Sequence, residues 1–403
     1  MTHHSSLDYW FDYTCPYAYL GSTQAEAFAA RVGLALRWRP MLLGGVFKAH
    51  DTPQRLFETL SPAKARHNAD DLQRWAALHG VALTMPATHP MRSVEALRAT
   101  LACGCDARVI HGFFRAYWVE GRPISDPAVI ADVVRAAGHD ADAVLAEIAR
   151  DAVKDDLRRR TEEAIALGVF GAPTWALDGE TYWGQDRAEL IAARVLGAPP
   201  SDDAVAPPTG RMLEVYWDFA SPYAYFGAMQ AEAVARRTGA TLVWRPLLLG
   251  GLFKSIGQAD VPLSTYSPAK QRHTGLDLER WAARWGVPFR FPSRFPMNTV
   301  TAMRAWLALP EARRGAFQRA VFRAYWADDR DIADPSVLAE LLGGDDAPAV
   351  LERARTPAVK DALRDATQRA MDAGVFGVPT WVVDGRELIW GQDRLPLVER
   401  ALR

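Results

Sequence analysis

Cysteine is scarce in this sequence: three in 403 residues, two of them close together at Cys103 and Cys105. That excludes a disulfide framework and points to a chain with reduced thiols in the cytoplasm. No apolar run is long enough to span a bilayer, and Met1-Thr2-His3-His4-Ser5-Ser6 lacks the apolar core of a signal peptide. Nor does one sign of charge dominate. There are 47 basic and 48 acidic residues, a net charge of −1, so neither nucleic acid nor an anionic membrane is expected as a partner held by bulk electrostatics. The nine histidines show no metal-ligand spacing, and no metal is expected.

What is present is a globular composition, 49% hydrophobic and 24% charged, in a chain long enough for two or three domains. Its organising feature is a pair of near-copies, Asp12-Tyr13-Thr14-Cys15-Pro16-Tyr17-Ala18-Tyr19 and Asp218-Phe219-Ala220-Ser221-Pro222-Tyr223-Ala224-Tyr225. Each follows a run of β-formers, Leu7 to Phe11 and Leu213 to Trp217. Each precedes an amphipathic run, Tyr17 to Arg31 and Tyr223 to Arg237, stopped at Gly33 and Gly239. Cys15 and Ser221 therefore fall where a strand hands over to a helix, with proline at the first helical position, where its missing N–H is not needed. Free backbone N–H groups and the positive end of the helix dipole stabilise a negative atom there. A thiolate is such an atom, whether from Cys15 or from a bound ligand. Cys-Pro and Ser-Pro can also merely start helices; the second motif in each copy favours a site.

The copies share Trp-Arg-Pro (Trp38, Trp244), Leu-Leu-Gly-Gly-x-Phe-Lys (ending at Lys48, Lys254), Ser-Pro-Ala-Lys (ending at Lys64, Lys270) and Arg-Ala-Tyr-Trp (ending at Trp118, Trp326). A repeat this long is a duplicated domain, residues 1–197 and 211–403, joined over 198–210 by a proline- and aspartate-rich linker that reads as extended and exposed. Each copy reads as α/β: strand, helix, strand (Leu34 to Arg39, Thr241 to Arg245), a helical stretch over about 61–167 or 267–373, two strands and a last helix. Ser61-Pro62, Ser267-Pro268, Asp126-Pro127 and Asp334-Pro335 start helices, and Gly80 and Gly286 stop them. Trp75, Trp118, Trp281 and Trp326 read as core residues, some with a face for a ligand cleft. Gly171-Ala172-Pro173-Thr174-Trp175 and Gly377-Val378-Pro379-Thr380-Trp381 set a proline before a strand, a pattern that fits a cis bond. Asp178-Gly179 and Asp384-Gly385 read as two-residue hairpin turns. Trp183-Gly184-Gln185-Asp186-Arg187 and Trp390-Gly391-Gln392-Asp393-Arg394 then open the last helix, with Asp as the expected N-cap.

With these motifs in place, both halves resemble the thioredoxin-like branch that contains DsbA-type proteins, kappa-class glutathione transferases and 2-hydroxychromene-2-carboxylate isomerases. The Trp-Gly-x-Asp-Arg ending is similar to the isomerase and kappa-class group in particular. The resemblance covers nearly the whole chain and is tightest in the second half. It implies two thioredoxin-like modules, each with an inserted all-helical domain, packed as an internal pseudo-dimer. It also implies glutathione as the cofactor. By resemblance, Ser221 contacts the glutathione sulfur, and Val378, before Pro379, pairs its backbone with the cysteinyl part. Asp393, with Gln392 and Arg394 beside it, holds the γ-glutamyl end, Lys270 meets a carboxylate, and Gln258 stands where many relatives carry asparagine. Lys64, Ala172, Pro173, Gln185 and Asp186 occupy the matching places in the first half. Such a set suits a zwitterionic peptide with two carboxylates, one ammonium and one sulfur. A small aromatic acid, the implied substrate, would meet Arg294, Asn298 and Trp326. The first half departs from the pattern: Met91-Arg92-Ser93 replaces Met297-Asn298-Thr299, His50-Asp51 replaces Gly257-Gln258, and Cys15 replaces Ser221. Neither half has a second cysteine at the Cys-x-x-Cys position, where Ala18 and Ala224 stand, which disfavours dithiol redox chemistry.

Three functions stay open at this point. The resemblance implies, first, a glutathione-dependent isomerase that interconverts a 2-hydroxychromene-2-carboxylate with its ring-opened form by reversible thiolate addition, a glutathione transferase being the near alternative. Ser221 would favour the thiolate by hydrogen bonding, and Arg294 and Asn298 would receive the substrate's carboxylate and enolate oxygens. The second is a monothiol oxidoreductase in which Cys15 forms a mixed disulfide with glutathione. In the third, the first half is a non-catalytic partner of the second.

Overall fold

The structure, a computed structural model, describes residues 6–197 and 204–403. The expected signal-free start and residues 198–203 of the expected linker lie outside the described residues. The remainder of that linker, 204–210, has no regular secondary structure; the Ala206 and Thr209 N–H groups donate to the Arg236 and Gly239 carbonyls, each at 2.9 Å. Among the described residues no helix is long and apolar enough to cross a membrane.

The chain divides into two compact units. One comprises Met1–Leu60, Asn68–Gly197 and Tyr266–Gly275, and the other Ser61–His67, Ala198–Thr265 and Leu276–Arg403. In the first, β1 (Ser6–Phe11) and β2 (Ala35–Pro40) pair in parallel, one to one from Ser6↔Ala35 to Phe11↔Pro40. Then β3 (Thr174–Leu177) and β4 (Glu180–Trp183) add antiparallel, giving the order β2-β1-β3-β4. Parallel neighbours need a crossover, supplied by the helix Pro16–Arg31. The second unit repeats the arrangement with β5 (Met212–Trp217), β6 (Thr241–Pro246), β7 (Thr380–Val383) and β8 (Glu387–Trp390) in the order β6-β5-β7-β8, crossed by the helix Pro222–Thr238. The inner strands β3 and β7 are buried at all four residues, as expected for strands flanked on both sides. Aromatic rings of the helices cover the sheet; in the second unit Trp217 meets Trp306 at 5.3 Å and Phe219 meets Phe322 at 4.8 Å between ring centroids.

The long helical stretch is several helices in each repeat, from Pro62–His79 to Asp151–Ala166 and from Pro268–Trp285 to Pro357–Asp372. Asp126 and Asp334 cap their helices as expected, accepting the Ala128 and Ser336 N–H groups. Two local expectations are corrected. The first hairpin turn has two residues, but the second pairs Val383 with Glu387, so Arg386 adds a third residue after Asp384-Gly385. Asp186 and Asp393 are not N-caps. They lie inside short 3-10 turns, Gln185–Arg187 and Gln392–Arg394, and pair with the adjacent Arg187 at 2.9 Å and Arg394 at 3.0 Å. Gly184 and Gly391, at φ 113° and 116°, turn the chain before the helix begins.

The first turns of the helices Pro62–His79 and Pro268–Trp285 do not belong to the unit of their own repeat. In the first unit, His273 Nε2 accepts the Trp183 N–H at 2.9 Å at the end of edge strand β4. In the second, His67 Nε2 accepts the Trp390 N–H at 3.0 Å at the end of β8. Each histidine thereby satisfies a donor that an edge strand would otherwise leave open.

One buried carboxylate organises each strand-to-helix junction. Asp218, fully buried, accepts the Leu249 N–H at 2.7 Å, the Ala220 N–H at 3.1 Å and the Thr299 hydroxyl at 2.8 Å. Asp12 accepts the Leu43 N–H at 2.8 Å, the Thr14 N–H at 3.0 Å and a bond from Ser93. Burial raises the pKa of both, and these donors pull it back. Removing such an acceptor orphans several buried donors at about 1–3 kcal/mol each. Asp218→Ala should therefore lower the unfolding free energy by at least about 2 kcal/mol in urea melts; an unchanged midpoint would show that water replaces the carboxylate.

Candidate functional site

Ser221 stands at the C-terminal end of β5 as the N-cap of the helix Pro222–Thr238, with an extended backbone (φ −114°, ψ 125°). Its Oγ accepts the Ala224 N–H at 3.2 Å and donates to the Val378 carbonyl at 3.3 Å. Val378–Pro379 is cis, as the sequence pattern suggested. The Pro379 ring lies against Gly227 of the helix, where an added Cβ would come within 2.9 Å of Pro379 Cγ. The loop can approach Ser221 because glycine leaves that room. The Val378 N–H makes no hydrogen bond among the described residues, so its backbone edge is open to an extended peptide.

Cys15 holds the same place in the first unit. Ala172–Pro173 is also cis, and Cys15 Sγ donates to the Ala172 carbonyl at 3.0 Å. Here desolvation and the helix start oppose each other, and desolvation wins. Burial pushes the Cys15 thiol up to about 12, with Asp12 adding to the rise, against the lowering effect of the Ala18 and Tyr17 N–H groups. Burial thus works against the Cys15 thiolate that the helix start would favour.

The second motif lies beside each cis-proline loop. Trp390 is packed on Gly377, where an added Cβ would lie 2.7 Å from the indole nitrogen. Gln392 and Gln185 are buried, and Gln185 Oε1 lies 3.4 Å from His79 Nε2. The lysines are arranged otherwise than expected. Lys270 belongs to the first unit, its Nζ 3.9 Å from the Tyr266 ring centroid and 5.5 Å from that of Trp183, and so is not in the unit of Asp393. Of the two Ser-Pro-Ala-Lys lysines, the one in the unit of Ser221, Asp393 and Arg394 is Lys64, with Nζ 5.3 Å from the Trp390 ring centroid. Lys64 is half-buried, makes no ion pair among the described residues, and burial lowers its pKa. The reason is the exchanged first turns, which carry Lys64 with His67 and Lys270 with His273.

The residues expected to meet a substrate part ways. Arg294 is exposed and pairs with Asp331 at 2.6 Å. Asn298 is exposed and accepts the Val300 N–H at 2.9 Å. Trp326 is fully buried, with Nε1 donating to the Phe219 carbonyl at 2.8 Å; it braces the chain before Ser221 from inside the core and presents no face to a cleft. Gln258 closes the helix Leu249–Ser255, its N–H bonding to the Phe253 carbonyl at 2.9 Å after Gly257 at φ 68°. The sequence reading assigned no role to Asp218, Thr299 or Tyr325. Tyr325 accepts the Met297 N–H at 3.0 Å, as Tyr117 accepts that of Met91 at 2.8 Å. The signal was the repeated Arg-Ala-Tyr-Trp itself, whose tyrosine and tryptophan tie two loops to one helix end.

The family model described as DSBA-like thioredoxin domain matches residues 6–195 and 212–403. Among curated proteins, glutathione S-transferase kappa 1 of Homo sapiens is 29% identical over 48% of this chain and 92% of its own length. The 2-hydroxychromene-2-carboxylate isomerase of Sphingobium xenophagum is 28% identical over 47% of this chain and 98% of its own. A solved 2-hydroxychromene-2-carboxylate isomerase aligns with a TM-score of 0.41 at 26% identity, over 47% of this chain and 93% of that one.

A thiol at a pKa of about 12 is ionised to roughly one part in 10⁴ at pH 8, whereas a free thiol is substantially thiolate. Cys15 in the native protein should therefore react with iodoacetamide on the order of 10³-fold more slowly than free glutathione, read by peptide mass spectrometry. Alkylation of Cys15 at the rate of a free thiol would restore the reactive-cysteine reading.

Proposed function

Because the chain belongs to the DSBA-like thioredoxin domain family, we propose that its second unit binds glutathione and isomerises a small aromatic conjugated acid, in a reaction of the 2-hydroxychromene-2-carboxylate isomerase type. One observation carries this reading: the Ser221 hydroxyl is held between the Ala224 N–H and the Val378 carbonyl, beside an open Val378 backbone edge. The residues around it suit the parts of a tripeptide. The Val378 N–H and carbonyl fit the cysteinyl backbone, Asp393 with Gln392 fits the ammonium end, and Lys64, half-buried without a carboxylate partner among the described residues, fits a carboxylate. Lys64 thus takes the role that sequence alone assigned to Lys270.

When bound, glutathione supplies a thiolate able to add reversibly to a conjugated carbon. The protein's part is positional and electrostatic. The Ala224 N–H fixes the Ser221 oxygen and leaves its proton free to turn from the Val378 carbonyl toward a sulfur, favouring the charged form. With Ser221 only 6% exposed, that bond forms in a poorly solvated place, where it is stronger than in water. Arg294 and Asn298 are exposed donors on the loop just before Thr299, which is itself bonded to Asp218, and they suit a substrate carboxylate and a developing enolate oxygen. The protonated Cys15 thiol favours a supporting role for the first unit over a mixed-disulfide role. Three free cysteines accord with a reducing compartment, the cytoplasm.

Lys64→Ala should weaken glutathione binding by about 10- to 150-fold, the loss of one bond to a charged group at roughly 1.5–3 kcal/mol, while Lys270→Ala leaves the Ser221 unit's affinity unchanged. Calorimetry with glutathione distinguishes the two; the opposite pattern would return the carboxylate contact to Lys270. Ser221→Ala should slow isomerisation of a chromene-type acid by a similar factor, and Cys15→Ser should be mild. Abolished turnover in Cys15→Ser with Ser221→Ala unaffected would move the active site to the first unit.

A further inference from the structure

The second unit contains a cleft of about 350 Å³ lined by none of Ser221, Pro379 or Asp393. Tyr216, Trp244 and Trp306 give it aromatic walls, and Arg245, Arg314 and Arg369 set three guanidinium groups around it against one carboxylate, Glu214. Glu214 is already neutralised by an ion pair with Arg245. Arg314 stands 4.7 Å over the Trp306 ring and is held there by the Leu307 and Leu309 carbonyls. Arg369 is exposed, and its guanidinium makes no hydrogen bond or ion pair among the described residues.

The first unit serves as an internal control. In the helix matching Pro357–Asp372, Asp156, Arg160 and Glu163 stand where the second unit has Ala362, Ala366 and Arg369. Those charges pair with one another and with the sheet: Arg160 with Asp156 at 3.1 Å, and Glu163 with Arg39 at 2.6 Å. Arg39, the counterpart of Arg245, lies 4.5 Å over the Trp10 ring. Thr100 stands where Trp306 stands, committed to the Tyr13 hydroxyl and the Ala96 carbonyl. In the second unit the filling side chains are alanines, the acid that would engage the strand arginine is reversed to Arg369, and a small residue is enlarged to tryptophan. The alanines open space, Trp306 gives the cleft a buried aromatic floor, and Arg369 stands without an acid.

We propose that this cleft binds a flat aromatic carboxylate at a site separate from Ser221, with the ring against Trp244 and the carboxylate on Arg369 and Arg314. The volume falls at the lower end of small-molecule sites, suited to one or two fused rings. The planar guanidinium fork matches a carboxylate with two parallel bonds.

The test uses the full chain, without glutathione, titrated with 2-naphthoate and with neutral 2-naphthalenemethanol by equilibrium dialysis. Naphthoate should bind at least about tenfold more tightly than the alcohol, a bond to a charged group accounting for that factor. Arg369→Glu, which places there the charge found in the first unit, and Ala366→Arg, which refills the cleft, should each lower naphthoate affinity at least about tenfold. Arg369 is exposed and Ala366 half-buried on the cleft wall, and thermal melts check that the fold survives. Ser221→Ala should leave this binding unchanged, which separates the cleft from the glutathione reading. Equal binding of acid and alcohol, naphthoate binding indifferent to both substitutions, or no binding at millimolar naphthoate would overturn the proposal.

Discussion

The buried carboxylate just before each helix start is the constraint on which the rest of the site depends. Asp218 cannot be hydrated, so its oxygens must be satisfied by whatever the chain brings, and the chain brings three separate segments. The Ala220 N–H belongs to the strand-to-helix junction, the Leu249 N–H to the start of the next helix, and the Thr299 hydroxyl to the loop that carries Asn298. A fully satisfied buried charge fixes the relative positions of its partners more tightly than apolar packing would. Ser221 inherits its place from that arrangement, and the Trp326 indole bound to the Phe219 carbonyl holds the same turn from below. Asp12 does the equivalent work at Cys15, with Ser93 in place of Thr299.

Nearly the same frame therefore presents two different atoms. The hydroxyl of Ser221 is uncharged at every working pH, so its burial carries no ionisation cost, and it can lend its proton to a neighbouring anion. The thiol of Cys15 would have to become the anion itself, and in a dry site the desolvation of sulfur outweighs the backbone donors at the helix start. A helix N-terminus is a favourable place for negative charge, but only to the extent that the charge also retains water or strong donors. The two units differ on this point, although both show a cis-proline loop and a carbonyl within reach of the side chain.

Duplication also let the two copies drift where the sheet meets its last inserted helix. One copy keeps a filled, self-neutralised surface of ion pairs, and the other sets small alanines and the exposed Arg369 beside a buried tryptophan. The edge strands β4 and β8, which would otherwise end on open N–H donors, are closed by His273 and His67, whose helices also bring the lysines. A donor at a strand end needs only one acceptor of suitable geometry.

Local patterns decided much of this protein. The repeat, the α/β order of elements, the proline-started crossover helices, the cis-proline loops and the place of Cys15 and Ser221 at strand ends were all legible in the sequence, because each rests on residues within a few positions of one another. The first hairpin turn was legible for the same reason; the second differs by one residue, Arg386, which pattern alone does not count. The sequence placed Lys270, not Lys64, with Asp393, and it left open whether Trp326 faces a cleft or the core and whether a cysteine at a helix start is ionised. Those depend on contacts between segments far apart in the chain, and on how much water each atom keeps. A motif states which group is present and roughly where the backbone holds it. Its solvation and its partners are properties of the packed interior, and only the tertiary structure decides them.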